Sequence, residues 1–285
     1  MISGAARICG VIADPVGHTV SPAMHNAAFE QVGIDYLYVP FQVKKEELGK
    51  AIAGMRALNI RGLNVTIPHK VAVIPFLDDL DDLAQRIGAV NTIVNDDGVL
   101  KGYNTDATGF LRALLERGVE PKGKTVSILG AGGASRAVSL ALAERGSNLI
   151  ILNRTWDKVK EQADRISQLC QREVQALKLD RENLAKALNK ADILINTTSV
   201  GMSPDIEETP VTADLIKPPV IVFDIVYNPI KTRLLKEAEA AGAETISGID
   251  MLVWQGALAF EKWTGLKAPV KVMREKAIKA LQDEN

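Results

Sequence analysis

The chain has 285 residues, 47% hydrophobic and 24% charged, the profile of a globular protein of two domains at about 150 residues each. Its 34 Lys and Arg stand against 35 Asp and Glu, a net charge of -1. There is thus no basic excess for nucleic acid, and no apolar run approaches the roughly 18 residues of a membrane span. Two cysteines outside any C-x-x-C and three histidines (His18, His25 and His69) exclude a disulfide framework, point to a reducing cytoplasmic setting and give no reason to expect a metal site.

The opening MISGAARICGVIAD lacks a signal-peptide pattern and reads as a first strand. Strand-like LYVPFQV, GLNVTI and VNTIV follow, separated by helices over about 22–32, 46–58 and 80–87. Such alternation predicts an α/β domain with a mostly parallel sheet. Its polar residues stand where strands end. In GHTVSPAMHNAAF, Ser21-Pro22 reads as an N-cap followed by a first-turn proline. The hydroxyls of Thr19 and Ser21 either cap that helix or receive a carboxylate at its N-terminus. NVTIPHK offers Asn64, Thr66 and Lys70, the lysine being either solvated or chemical. GAVNT and GYNTD offer Asn91 and Asp106, and Asp106 or Thr105 can cap the next helix. If these strands are neighbours, Lys70 and Asp106 can pair, which would make a proton donor for a reduced carbonyl.

Gly118 is placed to end the helix that Asp106 opens, and a first domain boundary is expected near residue 105. A second series begins there: TVSILG, NLIILN, VQALKL, DILINT, VIVFDIV and AETIS, each separated by a helix or loop. Six strands suffice for a doubly wound domain over 106–246. The helical tail over 247–285 cannot extend that sheet and is expected to complete the first domain, 1–105.

SILGAGGASRA is the strongest local signal. Gly130 permits a tight strand-to-helix turn, and Gly132 lets backbone N–H groups approach a pyrophosphate. Ser135 stands where G-x-G-x-x-G has its third glycine. The next strand ends at Asn153-Arg154-Thr155 without the acid that holds a ribose 2′-hydroxyl. Arg154 there is either a solvated arginine or a reader of a 2′-phosphate.

Together these segments, with NTTSVGM, DIVYNP and GIDMLVWQGALAF, resemble the shikimate dehydrogenases, in order and over nearly the whole chain. The resemblance implies an N-terminal substrate domain, a Rossmann-type domain, and NADPH-dependent reduction of 3-dehydroshikimate in aromatic amino-acid biosynthesis. It implies that Lys70 is the acid/base and Asp106 its partner, that Thr19 and Ser21 hold the substrate carboxylate, and that Asn64, Thr66, Asn91, Tyr227 and Gln255 bind substrate. It also implies that Gly130, Ala131, Gly132, Gly133 and Ala134 cradle the NADP pyrophosphate. Asn153, Arg154 and Thr155 would hold the adenosine end, and Thr197, Ile225 and Gly248 would line the ribose and nicotinamide. No metal is expected, and the assembly is expected to be a monomer or homodimer.

The family usually has Ser-x-Ser where this chain has Thr19-Val20-Ser21. Threonine keeps the hydroxyl but its methyl narrows the site, so shikimate is expected to outdo quinate. Arg154 argues against an NAD-dependent quinate enzyme, and the presence of Lys70 and Asp106 argues against a ligand sensor without activity. The GHTVSP and NTD segments do not suit a methylene-tetrahydrofolate-type dehydrogenase.

Overall fold

The structure, a computed structural model, describes residues 2–17 and 19–283. His18, in the first polar segment, lies outside the described residues. The chain divides into two compact units, Met1–Gly109 with Val253–Asn285, and Phe110–Leu252.

The first unit begins with β1 (Arg7–Ala13), α1 (Ser21–Val32), β2 (Tyr36–Gln42), α2 (Leu48–Ala57) and β3 (Gly62–Val65). It continues through β4 (Asp79–Leu80), α3 (Asp82–Ile87), β5 (Thr92–Asp96) and β6 (Val99–Tyr103) into α4 (Asp106–Glu116). The strand order is β2-β1-β3-β5-β6-β4. Pairings β1·β2, β1·β3 and β4·β6 are parallel, whereas β5 runs against both β3 and β6. The sheet is therefore mixed. Sequence reading missed β6, although Asp97-Gly98 between β5 and β6 is a hairpin signal: both residues have positive φ, 50° and 90°, as a two-residue hairpin turn of this kind requires.

The antiparallel excursion matters for position. Because β5 is reversed and β6 reversed again, the start of β5 and the ends of β1, β3 and β6 share one sheet edge. The residues that follow or precede them there include Thr19, Ser21, Lys70, Asn91 and Asp106.

The second unit carries β7 (Thr125–Leu129), α5 (Gly133–Glu144), β8 (Asn148–Asn153), α6 (Trp156–Cys170), β9 (Val174–Lys178) and α7 (Arg181–Leu188). Then come β10 (Ile193–Asn196), β11 (Ile221–Asp224), α8 (Arg233–Ala240) and β12 (Glu244–Ser247). All five pairings are parallel, in the order β12-β11-β10-β7-β8-β9. Read from β9, this is the doubly wound order of dinucleotide-binding sheets, with its switch point between β7 and β10. Strand interiors such as Ile193–Asn196 are buried throughout, as expected where helices cover both faces.

Helices α9 (Ile249–Thr264) and α10 (Val270–Asp283) close the chain. In the first unit α10 packs on α1, and Trp263 of α9 is buried against Gly62 of β3, its indole N–H bonded to the Ile93 carbonyl at 3.0 Å. Among the described residues no helix is long and apolar enough to cross a membrane, and no group of His, Cys, Asp and Glu could hold a metal ion. Both cysteines are free thiols.

Candidate active site

Two local corrections precede the geometry. Helix α1 begins at Ser21 itself, with Val20 in the cap position and no side-chain cap, so Ser21 is not the N-cap that its place before Pro22 suggested. Thr19 Oγ1 instead accepts the Ser21 N–H at 3.3 Å. Nor does Asp106 or Thr105 cap α4. Asn104 does, its Oδ1 accepting the N–H groups of Asp106 at 3.1 Å and Ala107 at 3.4 Å. Both shifts release a polar side chain from helix duty.

In the first unit, Lys70 Nζ donates to Asp106 Oδ2 at 2.6 Å, with only 15% of the lysine side chain and 5% of the aspartate exposed. Asp106 Oδ1 accepts from Asn91 Nδ2 at 2.8 Å, and the same amide reaches Thr105 Oγ1 at 2.9 Å and Gln255 Oε1 at 3.4 Å. Asn91 is held the right way round: its Oδ1 accepts the Thr105 N–H at 2.8 Å and the Thr92 hydroxyl at 3.0 Å. Asn64 joins through Nδ2, which donates to the Asn91 carbonyl and to Thr92 Oγ1, both at 3.2 Å. Its Oδ1 accepts the Tyr38 hydroxyl at 2.7 Å.

The structure thus brings Lys70, Asp106, Asn91, Asn64 and Gln255 into one hydrogen-bonded cluster. Thr19, Ser21 and Thr66 are not linked into it. Among the described residues the hydroxyls of Ser21 and Thr66 have no partner, which leaves them able to meet a ligand. Lysine carries three N–H donors, and Lys70 gives one to Asp106, so the pair can hand a proton outward while the carboxylate keeps the ammonium in place. Sequence reading missed Tyr38, Thr92 and Asn104 as members of this network. Tyr38 sits in an apolar strand, where nothing in the pattern distinguishes its hydroxyl from its packing ring.

His69, beside Lys70, is wholly buried and its Nε2 donates to the Val43 carbonyl at 2.7 Å, a structural bond that holds the turn.

In the second unit the remaining nominated residues follow the carboxyl ends of parallel strands: Gly130 after β7, Asn153–Thr155 at β8, Thr197 after β10, Ile225 and Tyr227 after β11, Gly248 after β12. Gly130 has φ +109° and a side chain there would meet Thr197 Oγ1 at 2.7 Å, so both conformation and space require glycine. Thr197 Oγ1 in turn donates to the Leu129 carbonyl at 2.6 Å. Gly132 differs. Its backbone is extended (φ -94°, ψ -172°), and beyond its own chain neighbours a Cβ would meet no described atom within 4 Å. Neither strain nor internal crowding accounts for that glycine, and the space beside it is open to a group approaching from outside. Helix α5 starts there with no side-chain cap, its first N–H groups turned toward the same space. The chain therefore fits a dinucleotide pyrophosphate.

Ser135, in place of the third glycine, is buried and bonds back to the Gly130 carbonyl at 2.7 Å, while Gln162 of α6 donates to it at 2.9 Å. Arg154 is exposed and pairs with none of the described residues. Asn153 Nδ2 donates to the Thr155 carbonyl at 3.0 Å, shaping the turn that carries the arginine. Gly248 passes so close to Ile225 that a side chain would strike the Ile225 carbonyl.

Comparison with known proteins adds an independent line. Residues 11–93 match the shikimate dehydrogenase substrate binding domain, 113–237 the shikimate / quinate 5-dehydrogenase family, and 248–278 the shikimate 5'-dehydrogenase C-terminal domain. The shikimate dehydrogenase (NADP(+)) of Methanopyrus kandleri is 49% identical over 284 residues, 99% of this chain and 98% of that one. A shikimate dehydrogenase crystallised with NADP+ superposes with a TM-score of 0.93 at 44% identity, covering 99% of this chain and 98% of that one. The Thermus thermophilus enzyme in complex with NADP(H) and shikimate gives a TM-score of 0.86 at 40% identity, with 96% and 99% covered.

Proposed function

The chain belongs to the shikimate dehydrogenase family, and we propose that it catalyses the reversible, NADPH-dependent reduction of 3-dehydroshikimate to shikimate. The observation that carries this reading is the Lys70–Asp106 pair at the sheet edge, with two lysine N–H donors unspent among the described residues.

The first unit takes the substrate. Thr19 and Ser21 hold its carboxylate beside the N-terminus of α1, where the helix dipole favours negative charge. Asn64, Thr66, Asn91 and Gln255 bind its ring hydroxyls. The second unit holds NADP: the backbone from Gly130 to Ala134 meets the pyrophosphate, Asn153, Arg154 and Thr155 the adenosine end, and Thr197, Ile225 and Gly248 the ribose and nicotinamide. The cofactor supplies the hydride for the C3 carbonyl carbon. As negative charge develops on the carbonyl oxygen, Lys70 donates the proton to it, and Asp106 fixes the ammonium and accepts a neighbouring hydroxyl. In the oxidising direction Lys70, as the neutral amine, takes the proton back. Free thiols and a biosynthetic family suit the cytoplasm.

Lys70→Ala tests the assignment. A general acid contributes about 10² to 10⁴ in rate, so kcat should fall by that order with KM for shikimate little changed. A steep rise in KM with kcat intact would make Lys70 a binding residue and overturn its role.

A further inference from the structure

One glycine in the first unit is explained by neither turn nor ligand. Gly109 lies inside α4, one turn after Asp106, with its N–H bonded to the Thr105 carbonyl at 2.9 Å. Glycine is among the poorest helix formers, and a buried helical position has no conformational need of it. The reason is the helix opposite. A Cβ on Gly109 would stand 2.7 Å from the backbone nitrogen of Gln255 and 3.0 Å from its Cα, so the main chain of α9 comes against α4 where the side chain is missing.

The atoms that would be struck are the main chain and Cβ of Gln255, and no rotamer change moves any of them. Nor is there room to spare on the next residue of α9: a side chain on Gly256 would press on the Met24 side chain and come within 3.3 Å of His25 Nε2. Helix α9 is therefore seated closely on α4 and on α1 at once. This seat fixes where the Gln255 carboxamide ends, within 3.4 Å of the Asn91 amide that also holds Asp106.

We infer that Gly109 is a positioning residue for the substrate site: its missing side chain lets α9 set Gln255 at the depth of Asn91 and Asp106, a depth that one added methyl group would deny. The inference rests on the reading that Gln255 contacts substrate. It explains why a helix that begins with an essential carboxylate carries a destabilising residue one turn later.

Steady-state kinetics of the full chain with shikimate and NADP+ decide it, using Gly109→Ala, Gln255→Ala and the double variant. Gly109→Ala should raise KM for shikimate about three- to tenfold, the scale of one neutral hydrogen bond, with kcat within about twofold and KM for NADP+ unchanged. Gln255→Ala should do the same, and the double variant should be no worse than Gln255→Ala, because no carboxamide remains to be displaced. If Gln255→Ala leaves KM unaltered, the substrate-site reading of Gln255 falls and the inference with it. If Gln255→Ala raises KM while Gly109→Ala has no effect, or adds to it in the double variant, the inference alone is overturned. Should Gly109→Ala fail to fold, Gln255→Asn decides instead. Drawing the carboxamide back by one methylene should raise KM about as much as removing it, and a wild-type KM would overturn the claim.

Discussion

Arg154 and Lys70 carry the same charge in opposite settings. Lys70 is mostly covered and bonded to Asp106, whereas Arg154 is exposed and pairs with none of the described residues. An unspent guanidinium at the end of β8 is suited to a dianionic 2′-phosphate, to which it can make charge-assisted, forked bonds. Arg154→Leu should therefore weaken NADP+ by at least about tenfold, near 1.4 kcal/mol, and leave NAD+ almost untouched. Titration of both cofactors by calorimetry checks it; equal weakening would mean that the arginine stacks on adenine and does not read the phosphate. At this scale much of the site is legible in the sequence, because Lys70, Asn91, Asp106 and Gly130 all stand in short polar turns after apolar runs. The partners that orient them are less so. Thr92 and Tyr38 sit within strands, where a hydroxyl used for orientation looks the same as one tolerated by the sheet.

Elements carry a different lesson. The six parallel strands of the second unit follow from the sequence because each is a short run bounded by turns, and the four inner ones, β7, β8, β10 and β11, are apolar and mostly buried. In the first unit the β5–β6 hairpin escapes notice: VLKGY alternates weakly, and only Asp97-Gly98 marks the turn. That hairpin is what returns the chain to the edge where Asp106 begins α4. Its last link is Asn104, whose Oδ1 caps α4 and whose Nδ2 donates to the Ala89 carbonyl at 2.9 Å. Asn104→Ala removes the cap and leaves a buried carbonyl unmet, so it should cost about 1–2 kcal/mol in urea unfolding. A loss within experimental error would mean that the start of α4 is fixed by Asn91 and Thr105 alone. The Ser135 substitution shows the reverse case, a departure from the glycine pattern that the structure absorbs. Its hydroxyl is consumed by Gly130 and Gln162, tying α6 to the turn without filling the space beside Gly132.

At the scale of the whole molecule, one buried group in each unit, His25 and Asp224, links stability to pH, and the two do so with opposite sign. Burial pushes His25, in the first unit, from its ordinary 6.5 down to about 3, so it folds neutral. Between those values the unfolded chain binds more protons, and this contribution to stability is full above pH 6.5 and lost as pH falls toward 3. Burial pushes Asp224, in the second unit, from 3.8 up to about 6, against the opposing bonds from Thr232, Val226 and Asn196. There the folded chain binds more protons, so this contribution is full below pH 3.8 and lost as pH rises through 6. Each slope is no steeper than about 1.4 kcal/mol per pH unit. Denaturant unfolding between pH 4 and 7 should therefore show His25→Leu less sensitive to acid than the parent, and Asp224→Asn gaining on the parent as pH rises toward 6. Parallel profiles for all three proteins would mean that neither group titrates in the folded state as its burial requires.

On the function proposed above, the chain oxidises shikimate with NADP+, the proton passing to Lys70 and the 2′-phosphate being read by Arg154. The most direct test is one absorbance assay at the nicotinamide band, run with shikimate or quinate, each with NADP+ or NAD+. With Thr19 at the carboxylate as proposed, its methyl would leave little room for the extra hydroxyl of quinate, and overpacking a tight site costs about 1–3 kcal/mol. The value of kcat/KM for shikimate with NADP+ should exceed that of every other combination by at least about tenfold. Turnover of quinate, or use of NAD+, at an equal or greater rate would contradict it.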